Sequence, residues 1–277
     1  MVFLVSDFNQ SNNKLLAATD LSWQVNNKII LNKLTFSISQ GEFVGVIGPN
    51  GAGKSSLLRC LYRKNEPTSG NIQFNQKRLS TYSRKQLAQK IAVVLQEPPT
   101  HFELTVLDVV RMGLIPNKAL LSFDTEEDLQ TISQAAYQVD LLDKLNQSFD
   151  SLSGGEKQCA MIARAIIQNP QLLLMDEPTN HLDVRHQIEV LENAASLGIT
   201  VVISLHDLNL AATFCDRLIL LDKGIIVAQG TPETVLTEVT LKQVFGVDAK
   251  VDQHPFSQKI RITFDVSGNK KSGQLYE

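Results

Sequence analysis

Lys54 and Ser55 stand directly behind a loop of small residues, Gly48-Pro49-Asn50-Gly51-Ala52-Gly53. Glycines let successive backbone N–H groups turn inward around an anion. The stretch that follows, SSLLRCLYRK, has helical spacing, so a helix N-terminus would point its positive end at the same place. Lys54 adds a mobile cation for β- and γ-phosphates, and the hydroxyl of Ser55, which precedes Ser56, can reach a magnesium ion. That chemistry is the binding of a nucleoside triphosphate. A magnesium ion needs a second anchor, and LLLMDE at 172–177 offers one: four apolar residues, then two carboxylates. In open α/β sheets ligands collect at the C-terminal ends of strands. Asp176 is therefore expected to hold Mg²⁺ and Glu177 to face the γ-phosphate. Solvated acids after a strand are the competing reading, which the glycine loop disfavours. His206 lies in VVISLHD and Gln96 ends IAVVLQ, so both leave buried strands toward the same edge. A lone histidine there is more often structural, but its company favours a hydrogen bond to the γ-phosphate.

These groups need a scaffold that brings distant strand ends together. From residue 172 onward, strand-like runs (QLLLMDE, ITVVISLHD, DRLILLD) alternate with helical ones (HQIEVLENAASLG, LNLAATFC), the pattern of a parallel sheet with crossover helices. Residues 14–47 instead alternate apolar and polar around Asn26-Asn27, which reads as a β-hairpin. Between about 104 and 168 the pattern is helical, and KIRITFDV near the C-terminus adds a small β element. The expected fold is α/β: a mixed or parallel core sheet with an N-terminal antiparallel β subdomain and an inserted helical subdomain. The domain is expected over 14–250, with the helical insertion at about 98–168 and a tail over 251–277.

Composition narrows the function classes. The chain has 277 residues, net charge −3 and 43% apolar residues, so it can bury a large core and has no basic footprint for nucleic acid. Cys60, Cys159 and Cys215 are scattered and read as reduced, buried small hydrophobes. MVFLVSDFNQ lacks a basic region and is not a secretory signal. No apolar run reaches the roughly 20 residues that cross a bilayer. The chain reads as soluble by itself and able to dock on a membrane protein.

LSGGEKQ at 152–158 has no meaning as an isolated phosphate loop, yet it resembles the signature of ABC-type ATPases. GPNGAGKSS, Gln96, LLLMDEP, NHLD at 180–183 and His206 resemble that family's other motifs, in the family's order. The resemblance spans roughly residues 15–250 and implies an ATP hydrolase using ATP and Mg²⁺. It implies that Glu177 polarises the attacking water and that Gln96 and His206 sense the γ-phosphate. Lys54 joins these catalytic candidates, and Gln96 joins Ser55 and Asp176 as a metal candidate. Ser153, Gly154 and Gly155 would contact ATP held by a second copy, with Asp183 reaching across that interface. The family's adenine-stacking aromatic falls at Val25, a departure. Trp23, two residues earlier on the same strand face, either stacks instead or packs in the core.

The resemblance also implies partners and a place. A membrane permease would dock on the helical insertion and the Gln96 loop at the cytoplasmic face of the inner membrane. A periplasmic or surface substrate-binding protein would act indirectly, and no nucleic acid is expected. VVRMGLIP, PTNHLDVRHQIEVLE and LHDLNLAATFCDRLILLDKG resemble importers of metal chelates: ferric siderophores, haem and vitamin B12. Ferric siderophore is the leading expectation. Soluble ABC ATPases acting on DNA or ribosomes need a long coiled-coil insertion or two tandem cassettes, and the chain has neither.

Overall fold

The computed structural model describes residues 13–95, 104–118 and 123–265. β1 (Lys14–Val25) and β2 (Lys28–Ser39) form the expected hairpin, with Asn26 and Asn27 both at positive φ in a tight turn. β3 (Phe43–Ile47) runs into the glycine loop, and α1 (Lys54–Leu61) leaves it. β4 (Ser69–Phe74) and β5 (Lys77–Arg78) join the hairpin in an antiparallel sheet ordered β2-β1-β4-β5. Then come α2 (Arg84–Ala88) and β6 (Ile91–Val94), which ends just before Gln96.

The described helices of the insertion are α3 (Val106–Arg111), α4 (Glu126–Gln138) and α5 (Gly154–Gln168). Thr105, Thr125 and Ser153 start them, each a capping box whose third residue reaches back to the cap. The core resumes with β7 (Leu172–Asp176), α6 (Val184–Ser196), β8 (Thr200–Ser204), α7 (Leu208–Phe214), β9 (Arg217–Asp222) and β10 (Ile225–Gly230). Two short helices, α8 (Pro232–Val235) and α9 (Glu238–Thr240), lead to a hairpin of β11 (Ala249–Gln253) and β12 (Ile260–Phe264). Its first strand begins at Ala249, inside the expected 14–250 span, because its pairing with Phe264 and its apolar face tie the tail to the core.

Six strands form the central sheet in the order β10-β9-β3-β8-β7-β6, parallel except where β10 pairs with β9. β3, β7 and β8 are buried along their whole length, as parallel strands covered on both faces must be. Alternate side chains go to opposite layers. Leu173, Met175, Val201 and Ile203 pack with α5, α6 and α7, while Leu172, Leu174, Val202 and Val46 pack with α1 and the antiparallel sheet. This two-sided burial fixes register, since a one-residue slip would exchange the two faces. The carboxyl ends of β3, β6, β7 and β8 therefore share one edge.

Candidate functional site

The glycine loop closes on itself at that edge. Gly48, Gly51 and Gly53 take φ of 147°, 79° and 106°. Gly53 is required twice over: a Cβ there would sit 2.8 Å from Leu31 Cδ2 and 3.2 Å from the Ile30 carbonyl. Ala52 N–H donates to the Pro49 carbonyl at 3.1 Å, and the Ala52 carbonyl accepts from Gly224 N–H at 3.0 Å. Asn50 and Gly51 stay exposed at the tip, and Ser56 is half-buried in the first turn of α1.

Lys54 is only 4% exposed. Its Nζ donates to the Gly48 carbonyl at 3.1 Å and lies 3.6 Å from Glu177 Oε1. Burial pulls the Lys54 ammonium below its ordinary pKa, and the Glu177 carboxylate opposes that pull. A cation already folded back over the loop and short of water gains most when phosphates arrive.

The two acids differ in their partners. Asp176 is buried and accepts from two hydroxyls on the same oxygen, Ser55 Oγ at 2.9 Å and Ser204 Oγ at 2.8 Å. Glu177 takes φ of 50°, a left-handed conformation that costs a non-glycine residue about 1–3 kcal/mol. Three contacts hold it there. Ser204 Oγ accepts from the Glu177 N–H at 2.8 Å, Asn180 Nδ2 donates to Oε2 at 2.7 Å, and His206 Nε2 lies 2.5 Å from Oε1. Ser204 and Asn180 escaped the sequence reading. A serine inside TVVIS looks like any strand residue, and Asn180 is marked only by its spacing from Glu177. Gln96 lies outside the described residues.

Ser153 caps α5, and the Glu156 side chain reaches back to the Ser153 N–H at 2.7 Å. Lys144 pairs with Glu156, and these contacts hold the Glu156 carboxyl down at about 2. Among the described residues, no hydrogen bond or ion pair joins 153–156 to the glycine loop of the same chain. Gly154 meets Leu182, and Gly155 abuts α6 so closely that a Cβ would lie 2.4 Å from the His186 ring. His186 Nδ1 in turn lies 2.9 Å from Asp183, which caps α6 and remains 66% exposed. Trp23 is half-buried against the N-terminal core, opposite Leu31, the residue that touches Gly53. Val25 is exposed beyond it.

The site is thus a phosphate cradle with a buried cation, a hydroxyl–carboxylate pair and a carboxylate–histidine pair at one sheet edge. Residues 31–180 match the family model described as ABC transporter. The chain belongs to the ABC transporter family. Among its relatives, the hemin import ATP-binding protein HmuV of Bordetella avium is 39% identical over 87% of this chain and 95% of its own length. The iron(3+)-hydroxamate import ATP-binding protein FhuC of Bacillus subtilis is 34% identical, covering 92% and 97%. A solved metal-chelate type ABC transporter in an inward-facing conformation superposes with a TM-score of 0.79 at 29% identity, covering 91% of this chain and 97% of that one. The chain is an ATPase of this family, with the α/β fold the sequence led one to expect. No helix among the described residues is long and apolar enough to cross a membrane.

Proposed function

We propose that this chain is the ATP-hydrolysing subunit of an ABC importer that takes up a metal chelate, most directly a ferric siderophore. One observation carries the catalytic part: Glu177, His206 and Lys54 converge at 2.5 and 3.6 Å beside the glycine loop. In this reading Glu177 orients and polarises the attacking water, while His206 holds the glutamate and contacts the γ-phosphate. Lys54 leaves Glu177 for the β- and γ-phosphates when ATP enters the cradle formed by residues 48–56. Phosphoryl transfer asks chiefly for such positioning and charge neutralisation. Ser55 and Asp176 bring a hydroxyl and a carboxylate together, the hard oxygen donors that Mg²⁺ prefers. Among the described residues no larger cluster of metal-ligating side chains accompanies them, which fits an ion completed by water and phosphate. Bound there, Mg²⁺ would neutralise phosphate charge.

The signature residues favour a shared site. Among the described residues, Ser153, Gly154 and Gly155 make no hydrogen bond or ion pair with their own cradle, and they open α5. Two copies related by a two-fold axis would place each signature on the other's ATP, with Asp183 at the interface. Leu95, next to Gln96 in sequence, and Ile115 and Phe123 of the helical insertion are exposed apolar side chains, and they support permease docking there, at the cytoplasmic face of the inner membrane. A substrate-binding protein outside would contact only the permease.

Cargo is supported by the relatives. The iron(3+)-hydroxamate import ATP-binding protein and a ferric enterobactin transport ATP-binding protein of Escherichia coli are 34% and 35% identical to this chain. A haem cargo is the second reading, favoured by the 39% identity to hemin import proteins. Uptake assays in a deletion strain decide between them. Loss of ferric-siderophore uptake with intact haem uptake supports the first, the converse supports the second, and intact uptake of both and of vitamin B12 refutes the chelate assignment.

A further inference from the structure

His206 sits between one fixed neighbour and one adjustable one. Before it, the Leu205 N–H is tied to the Val46 carbonyl of β3 at 3.2 Å. After it, Asp207 caps α7, its Oδ1 accepting from the N–H groups of Asn209 and Leu210 at 2.8 and 2.9 Å. The direction of the imidazole therefore depends on where the first turn of α7 is held.

That turn is held by the C-terminal hairpin. Asn209 Oδ1 accepts from the Ile262 N–H at 2.8 Å, and Asn209 Nδ2 donates to the Ile262 carbonyl at 3.2 Å. One side-chain amide thus satisfies both main-chain groups of a β12 residue, as a neighbouring strand would. Ile262 itself is 4% exposed and belongs to the core beneath α7. At the other end of the helix, Lys259 Nζ donates to the Thr213 carbonyl. The hairpin is bonded along its length. Its five residue pairs run without a bulge, and Arg261 grips Asp252 with two bonds of 2.9 Å.

We propose that the hairpin 249–264 braces the loop carrying His206, with Asn209 as the positioning residue that transmits the brace. Asn209 touches neither the glycine loop nor Glu177; it acts through the start of α7. The inference rests on the reading of His206 as a group that acts in turnover. Loosening the clamp should leave ATP binding intact, because Lys54 and residues 48–53 are anchored elsewhere, and should slow the chemical step.

The test is a double-mutant cycle in the full-length chain, reading MgATP turnover for wild type, Asn209→Ala, His206→Ala and the double variant. Asn209→Ala should lower kcat about ten- to a hundredfold, up to the scale of a catalytic group misplaced by about 1 Å. KM for ATP should stay within about twofold of wild type, the pattern of an interaction that matters only in the transition state. In the His206→Ala background the same change should cost nothing further. Should Asn209→Ala not fold, Asn209→Asp, which keeps the acceptor for the Ile262 N–H and loses the donor, takes its place in the cycle. Equal losses with and without His206, or a full-rate Asn209 variant beside an impaired His206→Ala, overturn the brace alone. A His206→Ala protein with wild-type turnover overturns both the brace and the reading beneath it.

Discussion

Ser204 is the smallest side chain on which both acids depend, so its removal is a sharp perturbation. It is 0% exposed, donates to Asp176 Oδ1 at 2.8 Å and accepts from the Glu177 N–H at 2.8 Å. Ser204→Ala would strand a buried N–H, at about 1–3 kcal/mol. It would also remove one of the two hydroxyls on a buried carboxylate, a charge-assisted bond of about 1.5–3 kcal/mol. Because both bonds share one atom the losses overlap, and a total of about 2–4 kcal/mol is expected. For a chain of this size roughly 2 °C is lost per kcal/mol, so the melting temperature should fall by about 4–8 °C. Turnover should fall further than stability suggests. Glu177 is held at a strained φ of 50° partly by this hydroxyl, and a relaxed backbone would swing its carboxylate away from His206. Calorimetry and steady-state ATPase assays on the same preparation read both effects. A Ser204→Ala protein melting within 1 °C of wild type (about 0.5 kcal/mol by the same conversion) and hydrolysing ATP at full rate would refute the reasoning.

Other expectations follow from the same geometry. Lys54→Ala, which removes the buried cation beside Glu177, should abolish turnover and weaken ATP binding; near-normal hydrolysis would sink its assignment. Glu156 has a folded pKa lowered to about 2 from 4.5, chiefly by Lys144, so its contribution is complete above pH 4.5 and fades as pH falls toward 2. Glu156→Gln should therefore be less stable than wild type at pH 6, with the gap closing on acidification in denaturant titrations; a gap that widens would contradict the pairing. If Trp23 stacks on adenine, ATP should change its fluorescence, and Trp23→Ala should raise the dissociation constant about tenfold, for a stacking term of about 1–1.5 kcal/mol. Unchanged affinity with lowered stability would make it a core residue.

The glycine loop, both acids and His206 were legible because each follows a buried apolar run, and a parallel sheet gathers such ends at one edge. What stayed hidden needed the pairing itself. Ser204 becomes a hub only because β7 and β8 set Asp176 opposite Ser204. Asn209 reads as a polar residue on an amphipathic helix until β12, about fifty positions later, returns to meet it. Trp23 shows a different obstacle. Register shifts of β1 between Ala18 and Leu21, where Asp20 takes φ of 49°, and on either side of Trp23 break its phase, so alternation counted from its start does not say which face Trp23 takes. Gly155 is read as a ligand contact from its motif, yet its lack of a Cβ is already demanded by His186 within the same chain.

In the proposed mechanism ATP is bound between two copies and hydrolysed through Glu177. Glu177→Gln keeps the shape of the side chain and its bond from Asn180 while removing the charge that faces His206 and Lys54. Sedimentation of that variant with and without MgATP, alone and with its permease, is the most direct measurement. A shared site predicts a monomer without nucleotide, a dimer holding two unhydrolysed ATP molecules with it, and a return to monomer when Ser153→Arg is added. A Glu177→Gln protein that stays monomeric at saturating ATP with the permease present, or that still turns ATP over, would contradict it.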